Sequence, residues 1–295
     1  MSAAAGSTFS VDWLALREDA DLAARARAAR ALGLRRWAAR RRVGGRVLQV
    51  VDLACGSGAN LRALAPLLGG AQRWHVLDQD EALLSAWPRR LEGWAASLGA
   101  DWRERGEEIV VTGPGFEARV QRSRADLSTG GLPGVEIPPG ALLTASALLD
   151  LVSEPWLRAL VARCADARAS ALFALTVDGR ISWTPPDPWD AQAVARFSAH
   201  QRRDKGFGPA LGPHAARRAA TLFHGAAFRV RRSRSDWLLG PGPLQAAIVR
   251  GMADAAIEQD PACEGVAADW LARRAAPHAA ARLRVGHIDL LAVPS

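Results

Sequence analysis

The stretch VVDLACGSGAN, Val50 to Asn60, joins a compact apolar run to two spaced glycines and then to a helix-forming segment. The run leading into it, RVLQVVDL, is apolar without alternation, as in a strand buried on both faces of a parallel sheet. Gly56 and Gly58 permit sharp turns and close approach of backbone to a ligand. The helix that follows, ANLRALAPLL, would present free N–H groups to whatever the loop cradles. Further on, Asp78 ends a second strand, QRWHVLD, where a carboxylate can accept hydrogen bonds from both hydroxyls of a ribose.

Working outward, strand, helix and strand in this order require a parallel sheet with a helical crossover. Residues 11–42 read as one helical cap, with Trp13, Leu16, Ala20 and Ala24 on a stripe and an end at Gly44-Gly45. EALLSAWPRRLEGWAASLGA reads as a helix, and EIVVTGPGFEARVQ as strand, turn and strand. GALLTASALLDL is a fourth strand, EPWLRALVARCADA a helix with Pro155 in its first turn, and SALFALTV a fifth strand. Residues 178–213 read as a long loop with a short helix near DAQAVARFSAHQ, and loops of that length in compact domains are usually functional. A helix, HAARRAATLFHGA, a strand, FRVRRSRSDWLL, two helices and a closing strand, HIDLLAV, complete the chain.

With 49% hydrophobic and 23% charged residues among 295, the composition is that of a globular protein, and no apolar run is long enough to span a bilayer. The first ten residues lack the pattern of a secretory leader, so a cytoplasmic location is expected. Cys55, Cys164 and Cys263 have no knuckle or redox spacing and read as small buried residues. His75 is expected to open strand two and His287 the closing strand, while His214, His224 and His278 fall on or beside helices. None has metal-ligand spacing, so no metal is expected. The net charge of +8 is densest over residues 24–46, but arginine replaces lysine along the whole chain. This favours a solvated basic helix face over a nucleic-acid surface.

Asp52, Ala54, Gly56 and Gly58 occupy the places of the Asp/Glu-x-Gly-x-Gly-x-Gly loop of class I S-adenosylmethionine-dependent methyltransferases, and the chain resembles that family from about Trp13 to Pro186. Ala54 departs from the pattern. The competing dinucleotide fingerprint needs a third glycine where Leu61 stands. The resemblance implies an α/β fold: a Rossmann-like seven-stranded sheet with helices on both faces, its last strand antiparallel. It implies one domain over 1–295, with a helical cap (1–44), a cofactor-binding core (45–178), a substrate-covering insertion (179–213) and a C-terminal part (214–295) with a helical insertion at 241–284. The implied cofactor is S-adenosylmethionine, with S-adenosylhomocysteine as product. Its amino-acid part would lie on Asp52, Ala54, Cys55, Gly56, Ser57 and Gly58, its ribose on Asp78 and its adenine at Asp126 and Leu127. Gln79 and Ser146 are also placed on the cofactor side.

In many methyltransferases of nucleic acids the fourth strand ends in a motif resembling Asn/Asp-Pro-Pro-Tyr/Phe. TASALLDL stands there instead, and TPPDPW follows the fifth strand. Cys55 and Cys164 do not form a catalytic pair for RNA methylation. The expected acceptor is therefore a small polar metabolite, anionic groups included, methylated on oxygen or nitrogen. Trp13, Arg17 and Arg25 of the cap, Asp178 and Trp183 after strand five, and Phe207 are the candidate acceptor contacts. The segment SAHQRRDKGFGPALGP, residues 198–213, holds the single lysine, Lys205, beside glycines that can hinge over a ligand. Lys205 would bind a carboxylate or phosphate, and His200 or Asp150 would take a proton. Two other readings stay open: an RNA-directed methyltransferase using the basic helix, and a non-catalytic cofactor-binding partner of another protein. The sequence does not fix the oligomeric state.

Overall fold

The computed structural model describes residues 10–106, 108–128, 132–276 and 280–295. His278 and the first nine residues, on which the leader reading rests, lie outside them. The chain runs α1 (Val11–Leu32), α2 (Leu34–Arg41), β1 (Leu48–Leu53), α3 (Ala59–Leu68), β2 (Gly70–Asp78), α4 (Glu81–Ser85) and α5 (Trp87–Leu98). Then come β3 (Asp101–Arg105), β4 (Glu108–Gly113), β5 (Phe116–Arg124), β6 (Leu142–Ser146), α6 (Glu154–Asp166), β7 (Ser170–Thr184) and α7 (Asp190–Gln201). The remainder is α8 (Ala215–Gly225), β8 (Phe228–Arg234), β9 (Trp237–Leu239), α9 (Pro243–Gln259), α10 (Glu264–Ala275) and β10 (Arg282–Pro294).

The strands form one sheet in the order β3-β4-β5-β2-β1-β6-β7-β10-β8, with β9 paired to β10. From β5 to β7 all neighbours are parallel, and β10 is antiparallel to both β7 and β8. The run from β5 to β8 is the seven-stranded sheet with a reversed last strand. The whole sheet has ten strands, because the β3-β4 hairpin extends one edge and β9 adds to the other end. β1 is apolar on both faces because helices cover both: Trp74, Trp87 and Leu61 pack on one side, Phe173, Phe223 and Trp156 on the other. Burying each such side chain contributes on the order of 1.5–3 kcal/mol.

Several local expectations are corrected. The helix over 11–42 is two, divided at Gly33, whose φ of 69° is left-handed. The segment 81–98 is also two helices, meeting at Ala86 before Pro88, which has no N–H to continue the first. DWRER is a strand, hidden from periodicity because β3 is mostly exposed and charged. β7 continues to Thr184, paired with the start of β10 from Arg282 to Val285, so the loop expected from 178 begins later. His287 and His75 accordingly sit within their strands rather than opening them. FRVRRSRSDWLL breaks at Ser235-Asp236, where Ser235 N–H donates to the His287 carbonyl and Asp236 takes up Arg180.

Candidate functional site

A cavity lies beyond the carboxyl ends of β1, β2 and β6. Its floor is the loop after β1, where Ala54, Gly56 and Gly58 have φ of 50°, 53° and 89°. Ala54 holds a left-handed conformation despite its Cβ, at a cost of roughly 1–2 kcal/mol. The loop is fixed from outside: Cys55 N–H donates to the Leu77 carbonyl (3.0 Å), and Trp87 Nε1 donates to the Gly56 carbonyl (2.7 Å). Ala54, Cys55, Gly56 and Ser57 line the cavity. Gly58 does not; it caps α3 and is backed by Trp87.

Asp78 lines the same cavity, its Oδ2 accepting from Gly56 N–H (2.8 Å) and its Oδ1 from Asp80 N–H (3.0 Å). Each carboxylate oxygen keeps a further acceptor position. Burial raises its pKa, and the backbone donors oppose that rise. Gln79, Asp80 and Ser146 also line the wall.

Asp52 and Arg25, expected as ligand contacts, are not on this wall; they hold Asn60, which is. Asn60 Nδ2 donates to Asp52 Oδ1 (2.5 Å) and to Thr144 Oγ1 (3.2 Å), and Arg25 Nη2 donates to Asn60 Oδ1 (2.5 Å). Burial pushes the Asp52 carboxyl up to about 7, against the lowering effect of the Asn60 hydrogen bond and of Arg25. Asp126 is exposed and off the wall, its carboxylate accepting from Ser128 N–H (2.8 Å). Leu127 is on the wall instead, its carbonyl held by Trp156 Nε1 (2.7 Å), and Phe207 packs edge-on against that indole.

A second cavity shares Arg17, Ala147 and Leu151 with the first. The two therefore meet at those residues. Arg17 Nε donates to Asp21 Oδ2 (2.8 Å), its guanidinium lies 5.1 Å from the Trp237 ring centroid, and Trp237 Nε1 donates to Asp21 Oδ1 (2.9 Å). Asp150 and Trp13 line this second cavity. Asp150 Oδ1 is shut off from solvent and has no hydrogen-bond donor among the described residues. Burial pushes its carboxyl up to about 6, with Arg17 among the influences lowering it. His287, also on the wall, has Nδ1 3.1 Å from the Val285 carbonyl, and burial pushes its pKa down to about 3.

The remaining expected contacts fall elsewhere. His200 lines neither cavity: it is 3% exposed, on α7, with Nε2 3.0 Å from Glu258 Oε2 on α9. Lys205 and Phe207 line the first cavity. Their segment is folded down by Asp204, whose Oδ1 accepts from Gly206 and Gly208 N–H, and by Leu211 and Gly212 N–H donating to the Val152 and Asp150 carbonyls. Asp178 and Trp183 are in the extended β7 rather than a loop. Asp178 pairs with Arg180, which also reaches Asp236, and Trp183 is buried edge-on to Trp270. The sequence reading passed over Asn60, Asp21, His287, Trp237 and Phe197, all on cavity walls. Asn60 had a signal, its place at the start of the helix after the glycines. The others reach the site from elements remote in the chain.

No protein-family model and no curated protein matches the chain. Solved structures align with it loosely. An inferred methyltransferase of Bacillus halodurans is 12% identical over 88% of this chain and 99% of its own, with a TM-score of 0.46. Phosphoethanolamine N-methyltransferase 2 of Haemonchus contortus, in complex with S-adenosylmethionine, is 12% identical over 89% of this chain and 53% of its own, with a TM-score of 0.41. A geranyl diphosphate methyltransferase in complex with the same compound is 12% identical over 99% and 94%, with a TM-score of 0.40. By its own sheet order, parallel from β5 to β7 and closed by an antiparallel β10 inserted between β7 and β8, the chain has the class I methyltransferase fold.

Proposed function

We propose that this protein transfers a methyl group from S-adenosylmethionine to an oxygen or nitrogen of a small molecule held in the second cavity. The observation that carries the reading is the meeting of two cavities at Arg17, Ala147 and Leu151, one floored by the glycine loop and Asp78, the other holding Asp150. The first cavity fits the cofactor chemically. Asp78 offers free acceptor positions to the ribose hydroxyls. Leu83, Leu127 and Phe207 give apolar surface for a base. When bound, the cofactor supplies a methyl group on a positively charged sulfur. The protein's own part is to hold the acceptor in line in a dry site and to take its proton on Asp150.

Calorimetric titration with S-adenosylmethionine and S-adenosylhomocysteine tests the first cavity. Asp78→Ala should weaken binding by about tenfold to a hundredfold, the loss expected for hydrogen bonds to a charged group. Absence of binding by the folded wild-type protein would overturn the proposal.

A further inference from the structure

We infer that the methyl acceptor is an uncharged, largely apolar ring compound that presents a ring hydroxyl to Asp150. This rests on the methyl-transfer reading above and replaces the expectation of a polar or anionic metabolite. The second cavity is walled by Trp13, Val177, Ile181, Phe197, Trp237 and Ile248, from the N-terminal helix, β7, α7, β9 and α9. Such a wall favours a compact apolar ring that buries most of its surface.

The polar groups select the rest of the ligand. Asp150 is half-buried on this wall: its Oδ1 is shut off from solvent, so a ligand's donor would meet Oδ2, and the backbone N–H groups of Asp150 and Val177 also act on the carboxyl. Nδ1 of His287 faces a carbonyl, which can only accept, so Nδ1 carries the proton and Nε2 is left as a second acceptor. Nε2 has no partner among the described residues. The site therefore asks for an O–H or N–H donor.

Charge decides between them. Arg17 is the cation on this wall among the described residues, and it is already engaged by Asp21 and Trp237. An anionic acceptor would meet the Asp150 carboxylate, with Gln201 as an uncharged donor and no unengaged cation on this wall among the described residues. An ammonium has no lone pair to attack with and would first have to lose its proton, in a dry site that holds a cationic sulfur when the cofactor is bound. A neutral hydroxyl avoids both penalties. As its oxygen lone pair forms the new oxygen–methyl bond, the methyl–sulfur bond breaks with its electron pair going to sulfur, and the hydroxyl proton passes to Asp150. The products are a methyl ether and a neutral thioether.

Three probes of one ring size separate the possibilities: naphthol, hydroxynaphthoate and naphthylmethylamine. Their binding is followed by their own fluorescence, with and without S-adenosylhomocysteine, and methyl transfer by mass spectrometry. Naphthol should bind at least about tenfold more tightly than either charged analogue, reflecting the desolvation of a charge in an apolar cavity. Ile248→Trp, which fills the cavity, and Phe197→Ala, which removes an aromatic wall, should each weaken naphthol binding while leaving S-adenosylhomocysteine binding intact. Asp150→Asn should keep naphthol binding within about threefold and lower its methylation by about a hundredfold or more, as expected for loss of a general base. Equal or tighter binding of a charged analogue, naphthol binding indifferent to both cavity variants, or Asp150→Asn methylating naphthol at the wild-type rate would overturn the inference. A failed methyl-transfer reading gives a different result, a blank cofactor titration, because naphthol binding needs no cofactor.

Discussion

Asp150 shows how environment rather than residue type sets a role. An ordinary aspartate is ionised far below neutrality and is a poor proton acceptor, whereas burial has pushed this carboxyl from 3.8 to about 6. Only its ionised form can take a proton, so kcat at saturating cofactor should fall as pH drops through about 6, and Asp150→Asn should remove that limb. Arg17 and His287 are the neighbouring groups on this cavity; the histidine, pushed to about 3, stays neutral through the range. Asp52, whose carboxyl burial pushes up to about 7, lies beneath the glycine loop, away from this cavity. Gly58 gives a second test at this scale. Its φ is 89° and an added Cβ would lie 3.2 Å from Trp87, so Gly58→Ala should lower stability by about 1–3 kcal/mol in urea unfolding. The glycines and Asp78 could be read from neighbouring residues. The support role of Asp52 and Arg25 could not, because Asn60 joins them only after α1 packs on the loop.

At the scale of elements, α1 is the piece that completes both cavities, supplying Leu14, Arg17 and Asp21 to one and Trp13 to the other. Its attachment to α3 is a two-pronged ion pair, Arg62 Nε to Glu18 Oε1 at 2.6 Å and Nη2 to Oε2 at 2.8 Å, and Arg62 also holds the Ser57 carbonyl. The side chains are 4% and 17% exposed, so removing one partner strands a nearly buried charge. Glu18→Ala should cost about 2 kcal/mol by chemical denaturation and weaken cofactor binding, because α1 and the loop lose their common strut. Helix periodicity revealed the helical character of this segment but not its partner. The extension of β7 was invisible for the same reason: DGRISWT becomes strand by pairing with Arg282–Val285, near the other end of the chain.

For the whole molecule, the first cavity is closed from three directions, by α1, by the loops after β1, β2 and β6, and by the segment carrying Lys205 and Phe207. Binding there should stabilise the fold by about 2.7 kcal/mol when ligand exceeds its Kd a hundredfold, seen as a raised melting temperature. Hydrogen exchange should slow in α1 and in residues 202–213, while the β3-β4 hairpin, at the far edge of the sheet, should be unchanged. Uniform protection of the hairpin and the cavity walls would contradict this assignment of the binding site. Among the described residues no helix is long and apolar enough to cross a membrane.

The sequence by itself determined the class of sheet, the glycine loop after the first strand and the carboxylate at the end of the second strand. Each rests on residues close together in the chain: apolar runs that must be buried, glycines that alone turn freely, a strand end that faces a crevice. Only the tertiary structure decided what lies opposite the loop. Trp13, Asp150, Phe197, Trp237 and His287 come from separate parts of the chain, and their chemistry depends on what covers them. Packing removes water from Asp150, fixes the His287 ring against a carbonyl and sends His200 to Glu258. Burial and partnership are properties of the folded arrangement, so no local pattern could carry them.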